Sequence, residues 1–109
     1  MANPWRGEVA LVVDGEPRVM RLTLAALAEL EARLEAESLI ELIGRFETGG
    51  FRVRDLIALL VAGLNGGGWQ VSEAELVARM IDGGPLAAAE AAARLLKLTF
   101  TVPGEDEAA

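Results

Sequence analysis

The spacing of apolar residues changes once along the chain, and this change restricts the fold more than any other feature. Between Val9 and Leu22 they recur every second residue, which is the period of a half-buried β-strand. From Thr23 onward they follow the three- and four-residue spacing of amphipathic helices. A chain of 109 residues has room for one core. The pattern predicts an α+β fold, mainly α, in which an N-terminal β-hairpin precedes four or five short helices.

The turn of the hairpin predicted over residues 7–23 has two interpretations. A two-residue turn at Asp14-Gly15 places Leu11 opposite Arg18. A four-residue loop over Asp14–Pro17 instead pairs Leu11 with Met20, and it makes one face of the hairpin uniformly apolar. Because a one-residue slip sends every side chain to the other face, register follows the apolar pattern. We therefore predict the four-residue loop.

Residues that can accept a hydrogen bond from a first helical turn predict where the helices begin. Thr23, Ser38 and Ser72 each precede an apolar stripe, and Ser72 with Glu75 matches a capping box. Pro85 suits the first turn of a last helix that continues to about residue 98. The residues expected to face the core on these helices are Leu24, Leu27, Leu30 and Leu34, then Leu39, Leu42, Ile43 and Phe46, and finally Leu76, Val77, Met80, Ile81, Leu95 and Leu98.

The segment from Val53 to Leu64 is predicted to be the central helix, because it is apolar on nearly every side. The stretch Asn65-Gly66-Gly67-Gly68 is interpreted as a flexible connection. It does not match a phosphate-binding loop, since a helix precedes it and Gly-Lys-Ser/Thr does not follow. We expect residues 1–102 to form a single domain and residues 103–109 to be a disordered acidic tail.

The composition argues against an enzyme. The chain has no His and no Cys, so it cannot build Ser/His/Asp or Cys/His nucleophilic centres, a zinc site with thiolate or imidazole ligands, or a disulfide. Its acidic side chains are spread around solvated helix faces and do not suggest a Mg²⁺ site. We expect no catalytic residues, no metal and no cofactor.

Charge and hydropathy also restrict the partners. The net charge of −7 argues against unaided nucleic-acid binding, which depends on Lys and Arg. The longest apolar run, Leu56 to Leu64, is nine residues, far below the about 20 that span a bilayer. The N-terminus also lacks a basic region followed by an apolar stretch. We expect a cytoplasmic protein that binds neither nucleic acid nor membrane.

A few large or basic side chains are candidates for partner binding, although each has a structural alternative. The two Trp residues lie beside polar residues or glycines, where rings often anchor a partner or cover an open end of a core. Phe46 beside Arg45 is equally well explained as a core aromatic next to a surface Arg. The two Arg residues that flank Val53 give a small basic patch that could meet an acidic partner, or a solvated helix start. The candidate partner-binding residues are Trp5, Arg45, Phe46, Arg52, Arg54 and Trp69.

The chain resembles a known family in several separate blocks, over roughly residues 5–82. The blocks are Arg6-Gly7-Glu8-Val9, Asp14-Gly15, Leu22-Thr23-Leu24-x-Ala26-Leu27-Ala28-Glu29-Leu30-Glu31, Arg45-Phe46-x-x-Gly49, Asp55-Leu56-Ile57-Ala58-Leu59-Leu60-x-Ala62-Gly63-Leu64 and the glycines before Trp69. Together they are similar to the small tail proteins of bacterial gene transfer agents and related prophages.

The resemblance implies a non-enzymatic protein that binds other tail proteins. Its main expectation is a tail assembly chaperone that holds the tape-measure protein until tail-tube subunits polymerise around it. The first alternative is a structural tail or tail-tube component retained in the particle. A further alternative is an unrelated cytoplasmic binding module. The chaperone is favoured at this stage because a tube subunit usually needs more β structure than one hairpin. Homo-oligomer formation stays open.

Overall fold

The predicted order of one hairpin and several helices is confirmed. The computed structural model describes residues 3–34 and 38–100, so the predicted acidic tail at residues 103–109 lies outside the described residues. Within the described part, a short 3-10 turn at Pro4–Arg6 precedes the first strand. The strands and helices are β1 (Val9–Val13), β2 (Glu16–Met20), α1 (Leu24–Arg33), α2 (Leu39–Thr48), α3 (Val53–Gly66), α4 (Glu73–Val77) and α5 (Gly84–Phe100).

The predicted four-residue loop of the hairpin is wrong. β1 and β2 pair antiparallel with Leu11 opposite Arg18, which leaves a two-residue turn at Asp14-Gly15. Asp14 has φ 53° and Gly15 has φ 81°, so both lie in the left-handed region. Such a turn matches the right-handed twist of the flanking strands, and Asp-Gly is among its preferred sequences. The local turn chemistry therefore fixes the register.

The register places Arg18 on the apolar face of the hairpin, where Trp69 covers it. The guanidinium carbon of Arg18 lies 4.2 Å from the centre of the indole ring. Val9, Leu11, Val13 and Met20 on the same face are buried. Arg18 interrupts the apolar face of the hairpin in the sequence, and the Trp69 side chain from a later part of the chain covers this interruption.

The third helix is the centre of the fold, as predicted. It carries a nearly continuous buried run from Asp55 to Leu64, broken only at Ile57, which is partly buried. It packs against α1, α4, α5 and β2. The backbone N–H of Arg21, just after β2, donates to the carbonyl oxygen of Gly63 at 2.8 Å. The hairpin is therefore attached directly to the backbone of the central helix.

The interpretation of the glycine stretch as a flexible connection is wrong. Gly66 is the last residue of α3, and the N–H of Gly67 donates to the carbonyl oxygen of Gly63 at 2.9 Å. A Cβ added to Gly66 would overlap the carbonyl oxygen of Arg21, and one added to Gly67 would overlap that of Val19. These glycines allow the end of α3 to approach the backbone of the hairpin.

The predicted helix starts are confirmed. Thr23 accepts a hydrogen bond from the N–H of Ala26, and Ser38 accepts one from Glu41, both at 3.1 Å. Ser72 and Glu75 form the expected capping box. Each cap satisfies a backbone donor that has no partner inside the helix.

The inward face of α1 differs from the prediction at Leu24, which is 86% exposed. Leu30 is buried as predicted, Leu27 and Leu34 pack at the edge of the core, and Ala26 is buried in place of Leu24. A Cβ added to Gly66 would lie 3.3 Å from the Cβ of Ala26, so α1 is close to α3 at this point. A small residue is therefore needed at position 26. Because residues two positions apart on a helix point to nearly opposite sides, Leu24 faces solvent when Ala26 faces the core.

The last helix closes the core on the other side of α3. Its buried residues are Ala88, Ala92, Leu95 and Leu96, and it packs against α3, α2 and β1. Leu98 is partly buried, in agreement with the prediction that it lies on the inward side. Among the described residues, no helix combines the length and apolar character that a membrane span requires.

Replacement of Gly66 by Ala should destabilise the protein. The added methyl group would collide with backbone and not with a movable side chain, so we expect a loss of about 1–3 kcal/mol, as for overpacked cores. Gly44→Ala is the matched control: its Cβ would meet open space inside α2, where Ala stabilises a helix by about 0.5–1 kcal/mol. Chemical denaturation measures both. A Gly66→Ala variant as stable as the natural protein would contradict the close approach.

Candidate partner-binding surfaces

Trp69 lies where the hairpin meets the segment after α4. The guanidinium carbons of Arg18 and Arg79 lie 4.2 Å and 5.4 Å from its ring centre. Arg18 also pairs with Glu16 at 3.2 Å, and Arg79 pairs with Asp14 at 3.1 Å. Cations over an indole face are attracted by its quadrupole. These contacts and the partial burial of the ring make Trp69 part of the packing between the hairpin and the chain after α4.

Asp14 connects the hairpin turn to the chain after α4. Its carboxylate accepts hydrogen bonds from the backbone N–H of Met80 at 3.0 Å and from Arg79 at 3.1 Å. Its own N–H donates to the carbonyl oxygen of Met80 at 2.7 Å. The bonds from Met80 and Arg79 hold the pKa of Asp14 below its usual value of 3.8, because they stabilise the charged form.

Residues 80–82 leave the helical path to lie along the outer edge of β1. Val13 and Ile81 form an antiparallel bridge, and the N–H of Asp82 donates to the carbonyl oxygen of Val12 at 3.0 Å. α4 is therefore only one turn long and ends at Val77. This pairing also covers part of a strand edge that would otherwise be open to other chains.

The prediction that Val77 and Met80 face the core is wrong. They are 60% and 75% exposed, whereas Leu76 is buried and Ile81 is partly buried. The early end of α4 leaves them at the rim of an apolar groove of about 310 Å³, which we call the α3–α5 groove. Residues that line it are Leu60, Leu76, Val77, Met80, Ile81 and Ala88. None of the six candidate partner-binding residues lines this groove, although four of its residues belong to the helical stripe predicted to face the core.

Arg45 connects α2 to the start of α3. It pairs with Glu41, four residues earlier on the same helix, at 2.9 Å and with Asp55 at 3.2 Å. Only 1% of Asp55 is exposed. Because a buried carboxylate is costly without a partner, Arg45 has a structural role in the free chain.

Phe46 stacks on Phe51 with ring centres 4.5 Å apart and planes 2° from parallel. It also lines a second concave surface of about 520 Å³ between the two helices that flank it, which we call the α2–α5 groove. The other residues of this groove are Ile43, Glu47, Ala93, Leu96, Lys97 and Phe100. Phe46 is thus a packing residue that also contributes to an accessible apolar surface.

The remaining candidates lie at separate places. Trp5 is 67% exposed in the 3-10 turn, and its backbone N–H donates to the side-chain oxygen of Asn3 at 3.0 Å. Arg52 and Arg54 are exposed at the start of α3, and each already takes part in an interaction within the chain. In residues 3–34 and 38–100, no hydrogen bond, ion pair or ring contact joins Trp5 to the other candidates. The six residues therefore do not form one continuous site.

The described part of the chain contains no group of three or more Asp or Glu residues placed to hold a metal ion. The described carboxylates that make contacts take part in caps, turns and ion pairs, and they are Glu8, Asp14, Glu16, Glu29, Glu41, Asp55, Glu73 and Glu75. The pKa of Glu75 lies below its usual value, because its carboxylate accepts a hydrogen bond from the backbone N–H of Ser72.

Asp14→Asn should remove one source of pH dependence from folding. A carboxyl group with a lowered pKa in the folded state adds stability above the unfolded pKa, and this stability is lost as the pH falls through the folded pKa. Asn keeps the turn, because it also tolerates the left-handed region. We expect the variant to melt below the natural protein at neutral pH, and the difference to shrink from about pH 5 to about pH 2. Circular dichroism melts measure this. Glu75 is present in both proteins, so its own pH dependence does not contribute to the difference in melting temperature. A difference that does not change with pH would contradict the lowered pKa of Asp14.

Comparison with known proteins identifies the family. A family model described as phage tail tube protein, GTA-gp10, matches residues 6–102, which include the hairpin and all the described helices. Searches of curated proteins and of solved structures gave no match. The description agrees better with the tail-tube alternative than with the chaperone expectation, and it argues against an unrelated binding module. The chain belongs to the GTA-gp10 family of phage tail tube proteins.

Proposed function

We propose that this chain is a non-enzymatic structural component of a phage-like tail and that it is retained in the finished particle. The observation that supports the proposal is the match to a tail tube family over residues 6–102. A structural component acts by binding its neighbours, and in a tail those neighbours are other tail proteins. Particle association is therefore the expected final location of the chain.

The α3–α5 groove is the surface that we assign to contact with a neighbouring copy of this chain. Identical subunits that build a closed ring meet through two different patches, so each copy needs a receptive surface. Val77 and Met80 expose apolar area at the rim of the groove. Met adapts its shape to an apolar partner, which suits this role.

Quantitative mass spectrometry of purified particles tests the proposed function. We expect the chain to be present in several copies, at a ratio to the other tail proteins that does not change between preparations. Intact particles should be separated from free protein by density before the measurement. Absence of the chain from particles would contradict a structural role.

Met80→Glu should reduce incorporation without unfolding the chain. The side chain is 75% exposed in the free protein, so the melting temperature should hardly change. Within a subunit contact, the new carboxylate would lose water without a partner, which costs more than the 1.4 kcal/mol of a tenfold affinity change. We expect at least about tenfold fewer copies per particle. Ala28→Glu, which adds the same charge at an exposed position of α1, is the control. Equal incorporation of the two variants would argue against the groove.

The second candidate function is a tail assembly chaperone for the tape-measure protein. It is supported by the fold: in the part of the chain that the structure describes, the only sheet is the two-stranded hairpin. Short helices around an apolar groove can also hold an amphipathic client helix. A pull-down from producing cells distinguishes the two functions. Tape-measure protein in the pull-down, together with absence of the chain from particles, would favour the chaperone.

A further inference from the structure

The outward side of α5 carries one regular stripe of residues. They follow one another at intervals of four, three, four and three, and they are Leu86, Glu90, Ala93, Lys97 and Phe100. This spacing places them along one line on the helix surface, and it is the spacing of the contact line in paired helices. The stripe lies opposite the buried side of α5.

Both ends of the stripe are apolar and open to solvent. Leu86 is 71% exposed and Phe100 is 47% exposed. The outward side of a surface helix is usually polar along its whole length. The stripe on α5 therefore has the composition of a contact surface.

The two charged residues of the stripe have no partner in the part of the chain that the structure describes. Glu90 and Lys97 are exposed, and within residues 3–34 and 38–100 neither forms an ion pair or a side-chain hydrogen bond. They are seven residues apart, about 10 Å along the helix, so they cannot pair with each other. A partner that satisfies both must place a cation opposite Glu90 and an anion opposite Lys97.

A second copy of α5 that runs in the opposite direction meets this requirement. With Ala93 as the centre, Leu86 and Phe100 each lie seven residues away, Glu90 lies three away and Lys97 lies four away. In an antiparallel pair, Leu86 therefore lies against Phe100 of the second copy, and Glu90 lies against its Lys97. Ala93 lies against Ala93, where the small side chains let the two helices approach closely.

Charge favours the antiparallel pair over a parallel one. In a parallel pair Glu90 would face Glu90 and Lys97 would face Lys97, and like charges on a contact line repel. Two further exposed charges lie beside the stripe: Arg94, one turn after Glu90, and Glu47 of α2, which lines the α2–α5 groove together with Lys97. These four charges cancel, so the contact is neutral although the whole chain carries −7.

We propose that two copies of this chain associate through α5, with the helices antiparallel about a two-fold axis at Ala93. The same patch of each copy forms the contact, as a two-fold axis requires. It is about 21 Å long, so it is small and gives a weak dimer. The inference concerns the free chain and does not rest on the proposed function, so either can fail without the other.

Sedimentation equilibrium of the full chain tests whether the dimer forms. We expect the mass to rise from that of one chain toward that of two as the concentration increases to about 1 mM. The mass of a single chain at every concentration would overturn the proposal.

Exchange of the two charges tests the position of the contact. Glu90→Lys places Lys against Lys97 of the second copy at two symmetric points, so the dimer should dissociate at least about tenfold more readily. Lys97→Glu should have a similar effect. The double variant should dimerise again, and because the two positions cannot pair within one chain, this recovery requires a second chain. A double variant that dimerises no better than the single ones would overturn the proposal.

Glu31→Lys is the matched control, since it makes the same change of charge at an exposed position of α1. We expect it to dimerise like the natural protein. An equal loss of dimer in this variant would show a general effect of charge and overturn the assignment to α5. Circular dichroism melts of all variants check that the fold is kept.

Disulfide cross-linking tests the direction of the helices. The natural chain has no Cys, so one introduced Cys reports on one position. Ala93→Cys should form a dimer rapidly under mild oxidation. Leu86→Cys should not, because in the antiparallel pair the two copies of this position lie about 21 Å apart, and a disulfide needs Cα atoms within about 7 Å. Ala93→Cys that cross-links no faster than Leu86→Cys would overturn the proposal.

Discussion

The approach of the last turn of α3 to β2 supports the rest of the fold. A two-stranded hairpin is marginal alone, because half of its backbone groups and one apolar face need other partners. Here Arg21 donates to the carbonyl oxygen of Gly63, and the carbonyl groups of Arg21 and Val19 pack against Gly66 and Gly67. A residue with a Cβ does not fit in place of Gly66 or Gly67 unless the backbone moves. The glycines therefore join the small sheet to the helical core.

This contact also determines where Trp69 and the following chain lie. The N–H of Trp69 donates to the carbonyl oxygen of Leu64 at 2.9 Å, so the indole follows the end of α3 directly. From there it covers Arg18 and lies beneath Arg79. Asp14 then holds Met80 at the hairpin turn. One series of contacts thus runs from the central helix through the hairpin to the rim of the α3–α5 groove.

Local chemistry made much of the fold predictable. The caps at Thr23, Ser38 and Ser72 and the buried run in α3 depend on residues close in sequence, and all of them were confirmed. The errors have another origin: the exposure of Leu24 depends on Gly66, and that of Met80 depends on Asp14, 66 residues away. Such contacts are invisible to a periodic pattern. The hairpin register is a different case, because the local turn preference of Asp14-Gly15 determines the pairing and outweighs a uniformly apolar face.

The candidate site was less predictable than the fold, because an exposed surface leaves a weaker pattern than a core. Arg45 and Trp69 were selected for size and charge, yet their contacts in the free chain are mainly structural. The apolar grooves came instead from residues expected to be buried, such as Val77 and Met80. An apolar helical stripe that is wider than the core can cover is thus the better sequence signal for a binding surface. To use it, one must know where each helix ends, because the helix end decides which residues of the stripe stay exposed.

α5 connects both grooves, and this has a consequence for assembly. Ala88 in its first half contributes to the α3–α5 groove, and Leu96 and Phe100 near its end contribute to the α2–α5 groove. Heterologous assembly requires two different patches on one subunit, whereas a chaperone that holds a single client helix requires only one. Two apolar surfaces on one rigid helix therefore favour a repeating structural component.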